Sequence, residues 1–138
     1  MPCDPEKITY HMDRQPDEQQ VTGLYRETGW ITEGMDVSFV PAMLKNSFAI
    51  ATAYEGDRLI GMMRALSDGV SDAYLLDLVV AKDCRKMGIG KKVLDLLCSH
   101  LKELGIDWIV WIGAPGTEKF YTACNAAIME DYIPYRLN

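Results

Sequence analysis

Apolar residues between positions 88 and 104 recur every three or four positions, which is the period of an α-helix with one buried face. Polar and charged residues occupy most of the opposite positions. Gly105 follows directly, and glycine is common just after a helix end. The segment therefore predicts the clearest helix of the chain. Its apolar stripe consists of Ile89, Val93, Leu94, Leu97, Leu101 and Leu104.

Upstream of this helix the pattern changes to a period of two and to strand-forming residues. Residues 48–54 and 58–66 flank a Glu-Gly-Asp turn at 55–57, which predicts a β-hairpin. A second turn leads into residues 73–80, which are apolar almost throughout but are interrupted by Asp77. A nearly continuous apolar run predicts a strand buried on both faces, so the three strands form a meander whose last member is central.

Shorter elements surround this meander. We predict further strands at residues 8–12, 108–112 and 128–137, and further helices from Pro16 to Gly29, at residues 39–44 and at residues 116–124. A strand, a helix and a strand in succession favour parallel neighbours. The predicted fold class is α+β: a mixed sheet, antiparallel at first and parallel around the central helix, flanked by helices.

Composition narrows the class of protein. The 138 residues are 49% hydrophobic and 25% charged, which is the balance of one globular domain spanning residues 1–138. No apolar run approaches a membrane span, and residues 1–13 lack the apolar core of a signal peptide. The four cysteines form neither a CxxC pair nor a zinc-like spacing. These features predict free thiols, no metal, no membrane partner and a reducing, cytoplasmic setting.

The formal net charge is −6, but one short window departs from it. Between positions 82 and 92, five basic side chains accompany a single acid, Asp83. A nucleic-acid-binding protein spreads its basic residues over a broad face, so we expect no nucleic-acid partner. Charge alone leaves two interpretations open: a site for a compact polyanion such as a pyrophosphate, or the solvated start of a helix.

Two glycines lie in this basic window, in the sequence Arg-Lys-Met-Gly-Ile-Gly at positions 85–90. The loop joins the most apolar strand to the clearest helix, and a helix N-terminus offers unpaired N–H groups to an anion. The spacing is neither a Rossmann GxGxxG nor a Walker A loop. The spacing is compatible with an anion site. It is equally compatible with glycines that are present only because the turn requires their backbone conformation.

The loop and the strand before it resemble the R/Q-x-x-G-x-G/A acetyl-CoA motif of the GNAT-type N-acetyltransferases. The pair Phe120-Tyr121 is similar to the FY pair of that family, and residues 57–61 resemble one of its common hairpins. The resemblance extends from about Val21 to Asn125. It implies the GNAT fold, acetyl-CoA as co-substrate, and transfer of the acetyl group to a primary amine of a small molecule or protein.

The resemblance also implies positions for the site. The apolar strand pairs with the pantetheine arm, a backbone N–H near Val79 polarises the thioester oxygen, and Tyr121 is the general acid for the leaving thiolate. The cofactor contacts carried over from the motif are Leu78, Val79, Val80, Arg85, Lys86, Met87, Gly88, Ile89, Gly90, Lys91 and Tyr121.

A further group must take a proton from the attacking amine, directly or through water. Asp77 is a candidate base because an acid within an apolar run is costly to bury without a partner. The alternative is a structural acid that pairs with Arg64 or caps a bulge. Tyr74 and Glu33 are weaker candidates, and these two residues together with Trp30 are the predicted acceptor-binding residues.

Several positions depart from the family pattern, among them residues 114–116, which stand where many members place an Asn that contacts the cofactor. Asn125 and Ala126 stand where the FYxxxGF motif has Gly and Phe. Asn tolerates a left-handed backbone, whereas Ala126 lacks the aromatic contact. The departures keep a second function open, an acyl-CoA-binding or sensing module without catalysis. The sequence does not identify the acceptor, and the last strand is the candidate interface of a homodimer.

Overall fold

Five strands form one sheet in the computed structural model, which describes residues 3–138. The strands are β1 (Ile8–His11), β2 (Ala49–Glu55), β3 (Arg58–Ser67), β4 (Asp72–Val80) and β5 (Trp108–Val110). Consecutive strands are neighbours; the first four are antiparallel, and β4 and β5 are parallel. The predicted α+β class, the meander and the parallel pair are confirmed.

Four α-helices flank the sheet: α1 (Glu18–Thr28), α2 (Phe39–Asn46), α3 (Ile89–Glu103) and α4 (Glu118–Ala123). Helix α1 begins where the Asp17 side chain accepts the backbone N–H of Gln20. It ends at Gly29, whose φ of 83° is rare for residues with a side chain. Among residues 3–138, no helix combines the length and the hydropathy that crossing a membrane requires.

Helix α3 supplies much of the core. It packs across β1 to β4, and five residues of its predicted stripe are buried. The sixth, Leu104, is 49% exposed because the helix ends at Glu103. Gly105 has a φ of 87°, as expected for a residue after a helix end. Because α3 follows β4 in the chain and packs on the same sheet, its N-terminus lies at the end of β4.

The predicted last strand at residues 128–137 is wrong. These residues form no strand, and their apolar side chains are exposed, Ile133 by 70% and Leu137 by 96%. Strand β5 ends at Val110, two residues earlier than predicted, and Pro134 removes a backbone donor within the segment. A segment rich in apolar residues becomes a strand only where a neighbour completes its hydrogen bonds, and residues 3–138 supply none here.

The prediction of free thiols is wrong for two of the four cysteines. Cys3 and Cys84 form a disulfide with their Cα atoms 5.2 Å apart, and both are buried. Their separation of 81 positions leaves no local sequence signal of the pairing. Cys98 and Cys124 are free cysteines. The prediction of a reducing compartment relied in part on free cysteines, so the disulfide removes that argument for it.

Reduction of this disulfide should lower the free energy of unfolding by about 2–4 kcal/mol, because the bond restricts the unfolded chain across a long loop. The measurement is urea unfolding with and without a reductant. Cys3→Ser should give the lower value in both conditions, whereas Cys124→Ser should respond to the reductant as the parent protein does. Equal unfolding midpoints for the parent protein in the two conditions would contradict this prediction.

Candidate active site

Strands β4 and β5 separate part of the way along the sheet. They pair at three positions only, from Asp72 opposite Trp108 to Tyr74 opposite Val110. Strand β4 continues to Val80, whereas β5 stops. Within residues 3–138, the second half of β4 therefore has no strand neighbour on this side, which leaves an opening between the two strands (the β4–β5 gap).

Alternate residues of β4 direct their backbone groups to opposite sides of the strand. The N–H of Ala81 donates to the carbonyl of Ile60 on β3 at 2.7 Å, and Val79, two positions earlier, faces β3 as well. Leu78 and Val80 therefore direct their N–H and C=O groups toward the β4–β5 gap, and of these the Val80 carbonyl already accepts from Arg85. An N–H aimed into the gap belongs to one of the neighbours of Val79, not to Val79 itself.

A β-bulge in β4 sets this orientation. After the pair Arg64–Leu76, β4 has two residues, Asp77 and Leu78, where β3 has only Met63. Asp77 has a φ of 60°, in the left-handed region that residues with a side chain seldom adopt. Aspartate tolerates this region better than most residues. The extra residue shifts by one position which backbone groups face the gap.

The Asp77 carboxylate has two side-chain partners. Its Oδ2 accepts from Nε of Arg64 at 2.7 Å and from the hydroxyl of Tyr25 on α1 at 2.9 Å. Burial, followed by the charge of Asp77, raises the pKa of Tyr25, so this phenol remains a donor throughout the neutral range. Asp77 therefore pairs with Arg64 and lies in a bulge, the two features expected of a structural acid, whereas its role as a base stays a prediction.

The loop at 85–90 leads into an uncapped helix. Gly88 is the N-cap of α3 with a φ of 79°, and no side chain caps the helix. The first helical bond runs from the N–H of Lys92 to the carbonyl of Gly88 at 3.2 Å. The N–H groups of Ile89, Gly90 and Lys91 therefore have no partner within the helix, and they carry the positive end of its dipole.

The basic side chains of the loop differ in their partners. Nε of Arg85 donates to the carbonyl of Val80 at 3.2 Å, which fixes the loop against the end of β4. Lys91 pairs with Asp95 at 2.6 Å, one turn along α3. Lys86 is exposed and forms no ion pair within the described part of the chain. The loop thus combines free N–H groups with at least one free cation.

The surroundings of Gly90 explain why this position carries glycine. A Cβ there would lie 3.2 Å from Cζ of Phe120 and 3.6 Å from Cγ2 of Val80. Helix α4 therefore packs directly against the start of α3. The residues fit an extended ligand with two parts: the backbone groups of β4 suit an amide-bearing arm, and the start of α3 suits a pyrophosphate.

The Phe-Tyr pair of α4 contacts both sides of the β4–β5 gap. Phe120 lies against the start of α3, whereas the ring of Tyr121 packs on Trp111, just beyond β5, with the ring centroids 5.3 Å apart. A Cβ on Gly113 would lie 3.4 Å from Cε2 of Tyr121. Burial, followed by the influence of Cys124, raises the pKa of Tyr121 above 10.0, so the phenol is protonated at neutral pH.

The three predicted acceptor-binding residues have different surroundings. Trp30 is 45% exposed and contacts Tyr25 edge-on, with ring centroids 5.1 Å apart. Because Tyr25 donates to Asp77, Trp30 contacts Asp77 only indirectly. Tyr74 is half-buried at the last β4–β5 pair, where the gap begins. Glu33 is exposed and has no hydrogen bond or ion pair to other residues in 3–138. The structure connects Trp30 to the bulge and leaves Glu33 apart.

Sequence reasoning missed Tyr25 as a polar partner. Its helical spacing with Val21 and Leu24 marks it as a core residue, and it is indeed 3% exposed. The available signal was Asp77, since an acid in an apolar strand requires a donor. Asn125 adopts a φ of 66°, so the expected left-handed turn is confirmed at the position where the family has glycine.

One group of possible metal ligands comes together within residues 3–138, formed by Cys3, Asp83 and Cys84. The two sulfurs are bonded to each other, and Asp83 pairs with Arg58 at 2.6 Å. These partners already occupy the ligand atoms. The expectation that the protein binds no metal stays a prediction.

Comparison with known proteins identifies the family to which the chain belongs. Residues 9–125 match the model of the Acetyltransferase (GNAT) family, so the chain belongs to that family. An uncharacterised N-acetyltransferase, ycf52, of Pyropia yezoensis is 30% identical over 67% of this chain and 55% of its own length. The chloroplastic serotonin N-acetyltransferase 2 of Oryza sativa is 32% identical over 55% of this chain and 38% of its own length.

Solved structures share the fold over nearly the whole chain. A Staphylococcus aureus protein of unknown function superposes with a TM-score of 0.80 at 20% identity, covering 95% of this chain and 98% of that protein. The likeness at this identity concerns the fold alone. The sequence relatives are longer, and the chain spans about half or less of their length.

Proposed function

We propose that this chain is an acetyl-CoA-dependent N-acetyltransferase that transfers the acetyl group directly to a primary amine. The observation that carries the proposal is the β4–β5 gap, whose free backbone groups lead along β4 to the uncapped N-terminus of α3. Residues 78–80 bind the amide-bearing arm of the co-substrate in this proposal. Residues 85–91 bind its pyrophosphate through N–H groups and basic side chains.

The backbone of β4 is the proposed oxyanion donor. Acetyl-CoA supplies an activated acetyl group as a thioester. The N–H of Leu78, next to the bulge, donates to the thioester oxygen, where negative charge grows as the amine nitrogen bonds to the carbonyl carbon and the carbon–sulfur bond breaks. The gap also holds the two reactants in line, which lowers the barrier through orientation.

Tyr121 is the proposed general acid. Its hydroxyl transfers a proton to the leaving sulfur, so the leaving group departs as a neutral thiol. The contacts with Trp111 and Phe120 hold the ring beside the gap. Because burial raises the pKa of Tyr121, the phenol loses its proton only in strongly alkaline solution, and the acid is in its active form at neutral pH.

In this proposal, a solvent water molecule accepts the proton from the attacking amine. The Asp77 carboxylate is bound by Arg64 and Tyr25, which favours a structural use of this acid over a role as base. Trp30 and Tyr74 form the acceptor side of the gap in this proposal. The net charge of −6 favours a cationic amine. The relative from Oryza sativa is named for serotonin, which is a primary amine.

An acyl-CoA-binding module without catalysis is the second candidate. It is favoured by the segment after α4, which forms no strand and has Ala126 where the family has an aromatic residue. The proposed acceptor side therefore lacks the aromatic contact that the family motif supplies. Both candidates require the same cofactor site, so turnover separates them.

The test begins with calorimetric titration of acetyl-CoA, CoA and ATP. Ligand at about 100 times its Kd should stabilise the fold by about 2.7 kcal/mol in thermal unfolding. Selective acetyl-CoA binding, followed by thiol release with a member of an amine panel, supports the enzyme. Binding without thiol release across the panel supports the module. A folded sample that binds neither acetyl-CoA nor CoA contradicts both.

A further inference from the structure

We propose that Tyr25, Arg64 and Asp77 form a positioning network that holds the β4 bulge in the shape that aims the Leu78 N–H at the thioester. The inference rests on the proposed acetyl transfer. It gives Asp77 a role in orientation in place of proton transfer, and it links a residue of α1 to the chemistry on β4.

The backbone of Asp77 determines the direction of the donor. The peptide group that joins Asp77 to Leu78 contains the Leu78 N–H, so rotation about ψ of Asp77 rotates this N–H directly. With a φ of 60°, Asp77 occupies a region in which a side chain is strained. Such a conformation persists only where its surroundings hold it. The direction of the donor therefore depends on whatever restrains Asp77.

The restraint comes from two different elements. Arg64 belongs to β3 and Tyr25 to α1, and both donate to the same oxygen, Oδ2 of Asp77, at 2.7 and 2.9 Å. The Arg64 side chain is 12% exposed and that of Asp77 23%, so water competes little for these bonds. The carboxylate is only one methylene from the backbone. Fixing the carboxylate from two sides therefore fixes the bulge.

Two conservative variants test the network. Tyr25→Phe removes one donor and keeps the ring, whereas Asp77→Asn keeps the shape and the tolerance of a left-handed backbone. Each should bind acetyl-CoA with a Kd within about twofold of the parent value, because the pyrophosphate site is untouched. Each should lower kcat about tenfold with KM for acetyl-CoA unchanged, since the donor is misdirected but still present.

Tyr54→Phe is the matched control. Tyr54 is a buried tyrosine of the same sheet, on β2, and it makes no hydrogen bond to the network. Its variant should keep the parent kcat even if it loses a little stability. The double variant Tyr25→Phe/Asp77→Asn should be no slower than the slower single variant, because both act through one bulge.

A second readout needs no amine acceptor. In acetyl-CoA labelled with ¹³C at the carbonyl carbon, a hydrogen bond to the oxygen moves the carbonyl resonance downfield. The parent protein and Tyr54→Phe should produce this downfield shift on binding. Tyr25→Phe and Asp77→Asn should lose most of it while still binding the ligand.

The outcomes are distinct. Parent-like kcat and carbonyl resonance in both network variants overturn the inference and leave the proposed function intact. A large loss in Asp77→Asn, with Tyr25→Phe like the parent protein, also overturns it and indicates that Asp77 is a base. A parent protein that binds no acetyl-CoA defeats the proposed function and the inference together.

Discussion

Gly90→Asp should lower the affinity for acetyl-CoA at least about 100-fold, which is about 2.8 kcal/mol of binding free energy. The new Cβ would lie 3.2 Å from Cζ of Phe120, and the new carboxylate would face the N–H groups proposed to bind the pyrophosphate. An acid in the first turn of a helix favours the helix dipole, so α3 should persist. The measurement is calorimetric titration, with thermal unfolding to confirm the fold.

Two variants isolate the cause of this loss. Gly90→Ala adds the Cβ without the charge, so it should cost much less affinity. Gly23→Asp places the same charge on α1 at an exposed position where a Cβ meets no atom within 4 Å, so binding should be unchanged. Parent-like affinity in Gly90→Asp would refute the assignment of the pyrophosphate to this helix.

Tyr121→Phe should lower kcat about 100-fold and leave the Kd for acetyl-CoA nearly unchanged, because the variant keeps the ring and removes only the hydroxyl group that carries the acidic proton. The contacts of the ring with Trp111 and Phe120 do not involve the hydroxyl, so the fold should be preserved. Steady-state kinetics with an amine found in the panel, together with calorimetry, separates the two effects.

The identity of the leaving group provides a sharper check on Tyr121. An acetyl thioester of a more acidic thiol leaves readily as a thiolate, so the loss in Tyr121→Phe should shrink with that donor. Tyr132→Phe, an exposed tyrosine of the C-terminal segment, is the matched control and should behave as the parent protein. Full activity of Tyr121→Phe would remove this residue from the mechanism.

The sequence predicted the parts of the fold whose signals are local. The apolar stripe of α3, the glycines at 88 and 90 and the alternation of β2 and β3 all reflect periodicity or backbone conformation within a few residues. Together with the predicted strand at 73–80, these elements place the end of β4 beside the start of α3, whereas the opening between β4 and β5 depends on where β5 ends, which was predicted two residues too late. The loop that joins β4 to α3 was therefore predictable from the chain alone, whereas its contacts with a cofactor stay a prediction.

The features that sequence missed depend on distant partners. The disulfide joins residues 81 positions apart, and Tyr25 meets Asp77 across 52 positions. The predicted strand at 128–137 failed for the same reason, since the composition of a segment says nothing about whether a strand edge is available to pair with it. The sequence predicted a bulge only as one of several explanations for the acid at position 77. A one-residue shift in register does not change the composition of a strand.

The β4–β5 gap has a consequence for how such a protein can diverge. Its proposed cofactor side relies mainly on backbone N–H groups of β4 and α3, which every amino acid except proline carries. Side chains along that stretch can change without erasing the recognition, provided that the backbone keeps its path. The proposed acceptor side consists of side chains such as Trp30 and Tyr74, which single substitutions alter. One scaffold can thus retain a constant donor while exploring new acceptors.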